Sequence, residues 1–262
     1  MLVQPLDDGQ VDLWLVRFER ELDPPLLAAY RALLPGEERK EAERFSSEEA
    51  RTQFLLGRAL LRIVLSHYVG EDPRVWVFRR SAHGKPVVAG PAPLPLEFNL
   101  SHTRGLAACA VAMARNVGVD VEALRSSPDH LLLARRFFAP AELAALEALP
   151  PQRQPDAFFR FWTLKEAFVK AQGKGLSVPL DSFAFSLAAD RPPQVSFPSS
   201  GRDDPDPWQF AQLTLGGRFQ IAVAVRFPSS RGLSLRLLET LPLRWQTGGR
   251  VLPQNATNRW LL

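Results

Sequence analysis

The chain repeats one order of elements in its two halves, and this repeat limits the folds that it can adopt. In each half, a helical stretch ends at a glycine and leads through a loop to two strands joined by a tight turn. Each unit has an apolar face that must be buried against a partner, so the pattern predicts a duplicated α+β unit. The segments are 50–68, Gly70 and 96–114 in the first half, and 156–172, Gly173, 208–215 and 219–227 in the second.

The closing strands of the two predicted hairpins, at 106–112 and 221–225, are alike in their small apolar residues. We therefore place a boundary near Arg115-Asn116. We expect the tail after Leu241 to pack weakly or to lack order, and we assign the tail no function. The chain has 262 residues, 46% of them hydrophobic, which is enough to bury a substantial core. The predicted parts are subdomains at 1–115 and 116–240 and a tail at 241–262.

Two carboxylates share one face of the predicted strand at 117–122. Valines occupy alternate positions, and Gly118, Asp120 and Glu122 occupy the others, so the valines are expected on a buried face. Two like charges so close raise the pKa of one carboxyl unless a cation lies between them. Magnesium prefers such oxygen ligands and is commonly completed by phosphate oxygens of a substrate. A solvated strand face explains the same pattern and stays open at this point.

The predicted helix at 156–172 carries a third carboxylate beside two lysines. Trp162, Glu166 and Lys170 follow one another at a spacing of four and form one stripe, with Lys165 beside it. A surface pair of Glu166 with Lys170 would contribute only about 0.2–0.5 kcal/mol. That interpretation does not explain an ion pair inside a band of aromatic residues, where charge is costly to desolvate. Carboxylates on a strand and a helix, with lysines nearby, instead indicate a magnesium-dependent reaction on a diphosphate.

A predicted hairpin that begins at Phe98 adds donor groups. Its sequence indicates a strand, a tight turn at Arg104-Gly105 and a second strand, which places Ser101 and His102 near the turn. Adjacent strand residues point to opposite faces, which argues against Ser101 as a nucleophile activated by His102. A donating His102 suits a phosphate, although a lone histidine at a strand end is otherwise usually structural.

Five short motifs follow one another along the chain. They read Gly84-Lys85-Pro86, FNLSH at 98–102, VGVDVE at 117–122, FWTLKEAFVK at 161–170 and GKGL at 173–176. Together they strongly resemble the 4'-phosphopantetheinyl transferases of the surfactin-synthetase-activating (Sfp) type, from about Leu33 to Phe227. The resemblance implies two similar α/β subdomains related by a pseudo-twofold axis. The site would then lie at the domain interface, a common place for a ligand.

The resemblance also implies a reaction and roles for individual residues. Enzymes of this family transfer the phosphopantetheine arm of coenzyme A to a serine of an apo carrier protein and release adenosine 3',5'-bisphosphate. Residue-by-residue carry-over gives the magnesium ligands Asp120, Glu122 and Glu166, the phosphate contacts His102, Lys165 and Lys170, and the pocket residues Lys85, Pro86 and Ser101.

Catalysis is expected from Glu166, Lys170 and His102. Glu166 is the best candidate for deprotonating the serine, directly or through a metal-bound water, because it lies at the metal on the helix that carries the cations. Phosphoryl transfer depends mainly on positioning and charge neutralisation, so the enzyme needs no covalent intermediate. The single cysteine, Cys109, lies in a small apolar run and is predicted to be buried rather than reactive. One cysteine and four histidines give no zinc-ligand spacing.

The binding site for the 3'-phosphate of coenzyme A departs from the family pattern. Relatives hold this phosphate with basic residues near the amino-terminal Phe-rich segment, and here acids occupy some of the expected lysine positions. Most side chains of the mixed-charge run at 37–43 are expected to form a solvated helix face. The region has five basic residues that could reach this phosphate. We assign three of them to coenzyme A, Arg39, Arg44 and Arg51, and the other two are Lys40 and Arg58.

The charge pattern bears on partners. The net charge is +4 and the pI about 9.6, but 32 basic residues are nearly balanced by 28 acidic ones, without the basic stripe typical of nucleic-acid binding. A mildly basic surface favours acidic partners, and carrier proteins are typically acidic. No apolar stretch approaches the roughly 20 residues of a membrane span, and the first eight residues lack the basic and apolar regions of a signal peptide. We therefore expect a cytoplasmic protein, and we expect it to be a monomer.

Two other function classes remain open on the sequence. A magnesium-dependent phosphohydrolase or nucleotidyl transferase would use the same carboxylates on another diphosphate, but a hydrolase would need only water as acceptor. A coenzyme A binding module would be indifferent to replacement of Glu166. Acyl, peptidyl and aryl carriers of fatty-acid, polyketide and peptide-synthetase systems are all possible acceptors.

Overall fold

The computed structural model describes residues 6–7, 9–18, 22–81, 84–90, 96–113, 116–124, 129–188, 191–197, 208–227 and 232–252. For Leu176 and for residues 244–252, only the backbone is described. Arg115, at the predicted boundary, and residues 253–262 of the predicted tail lie outside these ranges. Within them, no helix is both long enough and apolar enough to cross a membrane.

The structure is α+β. The helices are α1 (Pro24–Leu33), α2 (Gly36–Glu43), α3 (Glu48–Val69), α4 (His130–Phe137), α5 (Pro140–Glu147) and α6 (Gln154–Gln172). The strands are β1 (Gln10–Arg17), β2 (Val77–Arg80), β3 (Pro86–Gly90), β4 (Leu96–Thr103), β5 (Leu106–Met113), β6 (Val117–Ala123), β7 (Ala184–Ser186), β8 (Gln194–Ser196), β9 (Trp208–Leu215), β10 (Phe219–Arg226), β11 (Ser234–Leu241) and β12 (Arg244–Leu252).

The first half is a sheet of order β12-β11-β1-β5-β4 packed against α3. Helix α3 begins at Ser47, whose side chain accepts a hydrogen bond from the amide of Ala50, and it ends at Gly70 with φ 77°. The left-handed backbone at Gly70 lets the chain leave the helix without steric strain. Leu56, Leu60 and other apolar residues of α3 are buried against the sheet.

The second half repeats this plan with a sheet of order β6-β10-β9 packed against α6, which ends at Gly173 with φ 67°. Helix α6 lies very close to strand β6 at Gly118. A Cβ atom at this position would lie 2.0 Å from the carbonyl oxygen of Ala167 and 2.5 Å from the amide nitrogen of Ala171. Only glycine allows α6 to lie this close to the strand.

The two halves meet where β4 runs beside β6, and side chains rather than backbone groups form the connection. Polar side chains at alternate positions of β4 accept hydrogen bonds from alternate backbone amides of β6. The pairs are Asn99 Oδ1 with the amide of Val119 at 2.9 Å, Ser101 Oγ with Val121 at 3.4 Å, and Thr103 Oγ1 with Ala123 at 3.3 Å. These bonds fix the position of β6 relative to the first half.

The predicted duplication is present, but the carboxyl-terminal part of the chain differs from our expectation. Strand β11, which we assigned almost entirely to the second subdomain, pairs in parallel with β1 of the first sheet. Residues 244–252 form β12, which pairs with β11, so the expectation that the tail lacks order is wrong for this part of it. The subdomain boundary near residue 115 stays a prediction.

A buried ion pair ties β11 to β1. Asp12 of β1 is fully buried, and Arg236 of β11 donates to its Oδ1 at 2.8 Å and to its Oδ2 at 2.6 Å. The hydroxyl of Tyr68 donates to Oδ2 at 2.5 Å. The charge of Asp12 is therefore compensated by partners from β11 and α3, as a buried carboxylate requires.

Candidate active site

An open pocket of about 380 Å³ lies between α3 and β4 and reaches α6. Residues from both halves line it, most of them polar or aromatic. They are Glu41, Phe45, Gln53, Phe54, Gly57, Arg58, Arg80, Pro86, Phe98, Asn99, Leu100, Ser101, His102 and Lys170. The structure therefore brings the predicted residues Pro86, Ser101, His102 and Lys170 to one cavity.

Lys170, Ser101 and Asp120 form a hydrogen-bonded cluster at the pocket. Lys170 Nζ lies 2.6 Å from Asp120 Oδ1 and 3.0 Å from Ser101 Oγ, and Ser101 Oγ donates to Asp120 Oδ1 at 3.0 Å. Asp120 is buried, and its Oδ2 has no hydrogen-bond partner among the described residues. A buried carboxylate oxygen without a partner is costly, so it marks a place where a ligand can bind.

Local structure explains this placement. The valines of β6 enter the core, and Gly118 and Asp120 face α6. The close packing at Gly118 lets Lys170 reach Asp120. The interpretation of Asp120 as part of a solvated strand face is therefore wrong, and Lys170 pairs with Asp120 in the structure. Glu122, at the end of the strand, is half-buried.

Burial and neighbouring charges shift the pKa of two further groups of the site. Burial, and next the charge of Asp120, raise the pKa of Glu166, while Lys170 acts in the opposite direction. The exposed His102 loses part of its hydration on the side that faces the protein. This desolvation, and next the charge of Lys170, lower the pKa of His102. Asp120, Glu166, Lys170 and His102 thus form one electrostatic unit.

Comparison with known proteins identifies the family. The chain is 36% identical over 219 residues to 4'-phosphopantetheinyl transferase HetI of Nostoc, covering 82% of this chain and 87% of HetI. It is 32% identical over 225 residues to a 4'-phosphopantetheinyl transferase of Bacillus subtilis, covering 84% and 96% of the two chains. The chain belongs to the 4'-phosphopantetheinyl transferase superfamily. Residues 116–224 match the model of this superfamily, and residues 24–114 match the model of the 4'-phosphopantetheinyl transferase N-terminal domain.

Membership confirms the resemblance, the α+β fold class and the predicted enzyme class, a 4'-phosphopantetheinyl transferase. Among solved structures, a holo-(acyl-carrier-protein) synthase from Bacillus anthracis in complex with CoA (3',5'-ADP) matches 44% of this chain and 96% of its own. That match has 18% sequence identity and a TM-score of 0.37, so it is too distant to assign residues.

The structure corrects the prediction for Lys165, which we expected to be a third cation at the diphosphate of this transferase. Lys165 is fully buried and lies 2.6 Å from Glu142 Oε2. Its Nζ also donates to the carbonyl oxygens of Leu180 at 2.6 Å and Phe183 at 2.8 Å. Burial raises the pKa of Glu142 and lowers that of Lys165, and their ion pair opposes both shifts. Lys165 therefore belongs to the core of the second half.

The nucleotide-binding residues that we predicted are only partly at the pocket. Lys85 forms an ion pair with Glu97 at 3.3 Å and is not among the described pocket residues, although the adjacent Pro86 is. The same holds for the three arginines that we assigned to coenzyme A. Arg39 and Arg44 are exposed on or beside α2, and Arg51 donates to the carbonyl oxygen of Phe45.

Two other arginines, Arg58 and Arg80, line the pocket. From the sequence, we named Arg58 among the basic residues near the expected 3'-phosphate site, but we did not name Arg80 as a pocket residue. Arg80 ends β2, four positions before the Gly84-Lys85-Pro86 motif. Its closeness to that motif was a signal in the sequence that we did not use.

The carboxylates are compatible with magnesium, although they do not form a ready coordination site. No group of three or more His, Cys, Asp or Glu side chains in the described part of the chain is arranged to hold a metal ion. The donors of Asp120, Glu122 and Glu166 are oxygen atoms, which suit a hard cation. Oδ2 of Asp120 has no hydrogen-bond partner among the described residues, and the charge of Asp120 contributes to the raised pKa of Glu166.

Proposed function

We propose that this pocket binds coenzyme A with its diphosphate against Lys170, His102 and Ser101. The 4'-phosphopantetheine group is then transferred to a serine of an apo carrier protein, and adenosine 3',5'-bisphosphate is released. The observation that carries the proposal is the cluster of Lys170, Ser101 and Asp120, which places a cation and a hydroxyl in an open pocket above a buried carboxylate with one orphan oxygen.

Asp120, Glu122 and Glu166 are the proposed magnesium ligands. Bound Mg²⁺ would supply positive charge to the diphosphate as the phosphorus–oxygen bond breaks. Asp120 Oδ1 is engaged by Lys170, so Oδ2 is the atom of Asp120 that is available to a cation. The oxygen donors, the unpartnered Oδ2 of Asp120 and the effect of the charge of Asp120 on Glu166 support this assignment. Glu122 is the member for which the described contacts give least support.

The protein side chains position the reactants and move one proton. The serine oxygen of the acceptor forms a bond to the phosphorus that carries pantetheine, and the bond from this phosphorus to the adenylate oxygen breaks. Lys170 and His102 compensate the charge on the phosphates. Glu166, half-buried beside Asp120, accepts the serine proton, which then passes to solvent.

The acceptor class is part of the proposal. An acidic carrier protein suits the net charge of +4, whether it belongs to a fatty-acid, polyketide or peptide-synthetase system. Side chains of a single chain line the pocket, so a monomer would contain a complete site. Location in the cytoplasm stays a prediction from the sequence.

Intact-mass spectrometry tests the proposed reaction directly. Apo acyl carrier protein would be incubated with this protein, coenzyme A and magnesium, with a chelator in a parallel reaction. We expect the carrier to gain the mass of one phosphopantetheine only without chelator. Asp120→Asn should abolish the gain, and the surface variant Asp72→Asn, a matched control paired with Arg74, should retain it.

Two outcomes would contradict the proposal. Hydrolysis of coenzyme A without modification of acyl, peptidyl or aryl carriers would identify a phosphohydrolase. Full transfer by Asp120→Asn in the presence of chelator would exclude the proposed carboxylates as the metal site.

A further inference from the structure

Asn99 of β4 lines the pocket but has no part in the transfer chemistry described above. It belongs to the row of β4 side chains that connects the two halves, together with Ser101 and Thr103. Asn99 and Ser101 line the pocket, whereas Thr103 is not among its described lining residues. Asn99 therefore lies both at the connection between the halves and at the cavity.

The connection to β6 fixes the orientation of the Asn99 carboxamide. Its Oδ1 accepts a hydrogen bond from the backbone amide of Val119 at 2.9 Å. Because a backbone N–H can only donate, the carboxamide atom that faces it must be the oxygen rather than the nitrogen. Nδ2, which carries two N–H donors, therefore lies on the other side of the carboxamide, away from this amide of β6.

The two donors of Nδ2 are unused by the protein. In the described part of the chain, the side chain of Asn99 makes a single hydrogen bond, the one to Val119. Asn99 is only 6% exposed, so solvent reaches it through the pocket that it lines. A nearly buried donor group without a protein partner is costly unless a ligand or an ordered water accepts from it. Asn99 thus presents available donors to the cavity.

Ser101, two positions further along the same strand, differs from Asn99 in this respect. Its hydroxyl donates its single proton to Asp120 Oδ1 at 3.0 Å, and its oxygen accepts from the amide of Val121 at 3.4 Å. Lys170 Nζ lies 3.0 Å from the same oxygen. A phosphate oxygen is an acceptor, so it is better served by the available donors of Asn99 than by a hydroxyl proton that is already engaged.

The spacing along β4 suits a ligand with two linked phosphates. Residues two apart on a strand are separated by about 6.6 Å, and their side chains lie on the same face. A diphosphate beside Lys170 and Ser101 therefore needs to extend by only about this distance to meet Nδ2 of Asn99. A hydrogen bond from an amide to an anionic oxygen is charge-assisted, and the bond to Val119 fixes the donor beforehand, so that binding orders no further side chain.

We propose that Asn99 is a binding residue with two functions. Its Oδ1 fixes β6, and its Nδ2 donates to a phosphate oxygen in the diphosphate of coenzyme A. Strand β6 carries Asp120, the partner of Lys170, so Asn99 joins the bound nucleotide to this strand across the boundary between the halves. This inference rests on the proposed function, because it assumes that coenzyme A occupies the pocket.

Asn99→Thr separates the two functions of Asn99. A threonine hydroxyl can accept from the amide of Val119, as Thr103 Oγ1 does from the amide of Ala123, but the shorter side chain lacks the carboxamide donors. The dissociation constant of coenzyme A would be measured by titration calorimetry at one magnesium concentration and without carrier protein. We expect it to rise by about 10- to 100-fold. The midpoint of thermal unfolding should change by less than about 3 °C, because the bond to β6 is kept.

A second variant and a second ligand sharpen the test. Asn99→Asp keeps the shape of the side chain and the acceptor for Val119, but it replaces Nδ2 by an anionic oxygen. It should weaken coenzyme A binding more than Asn99→Thr does, because a carboxylate repels the phosphates. Adenosine 5'-diphosphate, which shares the diphosphate, should lose affinity for Asn99→Thr by the same factor as coenzyme A. Adenosine, which has no phosphate, should compete equally well in the wild type and in this variant.

Thr103→Val is the matched control. It removes the same kind of bond to β6 at a residue outside the described lining of the pocket. The midpoint of thermal unfolding should fall by about 2–4 °C, and the dissociation constant of coenzyme A should stay within about twofold of the wild type. The control and Asn99→Thr therefore have opposite expected effects on binding and stability.

Failure of this inference differs from failure of the proposed function. An unchanged dissociation constant in Asn99→Thr would overturn the inference and leave the transferase intact. Equal losses of coenzyme A affinity in Thr103→Val and Asn99→Thr would also overturn it, because a purely structural connection predicts that result. If the wild-type protein does not bind coenzyme A at all, the proposed function is wrong, and the assignment of Asn99 is wrong with it.

Discussion

Helix α6 carries two lysines, Lys165 and Lys170, that form ion pairs in opposite environments. The Lys165 pair with Glu142 is fully buried, and its atoms are satisfied by the amides of Ala139 and Phe185 and by two carbonyl oxygens. The Lys170 side chain is 30% exposed at the pocket, and its partner Asp120 retains a buried oxygen without a described partner. A saturated pair serves the fold, whereas an unsaturated one at a cavity is available to a ligand.

Loss of Lys165 should have the largest effect on stability. Lys165→Met leaves Glu142 buried without its countercharge, so we expect the free energy of unfolding to fall by about 3–5 kcal/mol. Urea denaturation followed by circular dichroism measures this change. Lys174→Met, at an exposed lysine just after the same helix, is the control and should stay within about 0.5 kcal/mol of the wild type. A similarly small change for Lys165→Met would remove the distinction between the two pairs.

Asp120→Asn should separate activity from stability. We expect kcat/KM for transfer to fall by at least about 100-fold, because the variant loses a metal ligand and the partner of Lys170. The free energy of unfolding should change by less than about 1 kcal/mol, since Oδ2 of Asp120 has no described partner to lose and water can reach Lys170. Unfolding comparable to that of Lys165→Met would show that Asp120 serves the fold.

Lys170→Ala should have a smaller effect on the reaction. Removing one of several cations at the diphosphate should lower kcat/KM by about 10- to 100-fold. Lys170→Arg keeps the charge and should recover part of the activity. Steady-state kinetics with coenzyme A as the varied substrate distinguishes weaker binding from a slower chemical step. A fully active Lys170→Ala enzyme would mean that the ion pair with Asp120 is not used in catalysis.

Alkylation of the Cys109 thiol tests which of the two lysines supports the fold. In the native protein, this alkylation should be the smallest of the effects predicted here. Cys109 is completely buried, and burial raises its pKa to about 12. The reactive thiolate is therefore scarce at pH 8 and increases only as the pH rises toward 12. Alkylation by iodoacetamide, measured by mass spectrometry, should be negligible in the wild type. It should be more than about 100-fold faster in Lys165→Met and nearly unchanged in Lys170→Ala.

The sequence brought together several residues of the proposed site because these residues occupy regular elements. Alternation in β6 placed Asp120 opposite the buried valines, and helical spacing placed Glu166 and Lys170 on one stripe. The error at Lys165 came from treating a neighbour in sequence as a neighbour in space. Lys165 follows Phe161 by four positions and precedes Phe168 by three, so helical periodicity places it on the buried face with these rings.

Other features depend on contacts between distant segments. Glu142 is the third residue of α5 and caps the helix by accepting from the amide of Ala139, but no local pattern shows that it meets Lys165. The same applies to Arg80, whose ion pair with Glu41 depends on α2 lying beside β2. It also applies to β11, whose pairing with β1 joins residues far apart in the chain. Such pairings follow from the packed tertiary structure rather than from local periodicity.

The parallel pairing of β1 with β11 has a consequence for synthesis of the protein. Asp12 and Arg236 are 224 positions apart, so at 5–20 residues per second a ribosome needs roughly 10 to 45 seconds to make the partner strand. Until then, β1 lacks its neighbour on one side and Asp12 lacks its arginine. The subdomain that is translated first is therefore completed last, and its nascent form presents an open sheet edge on which chaperones can act.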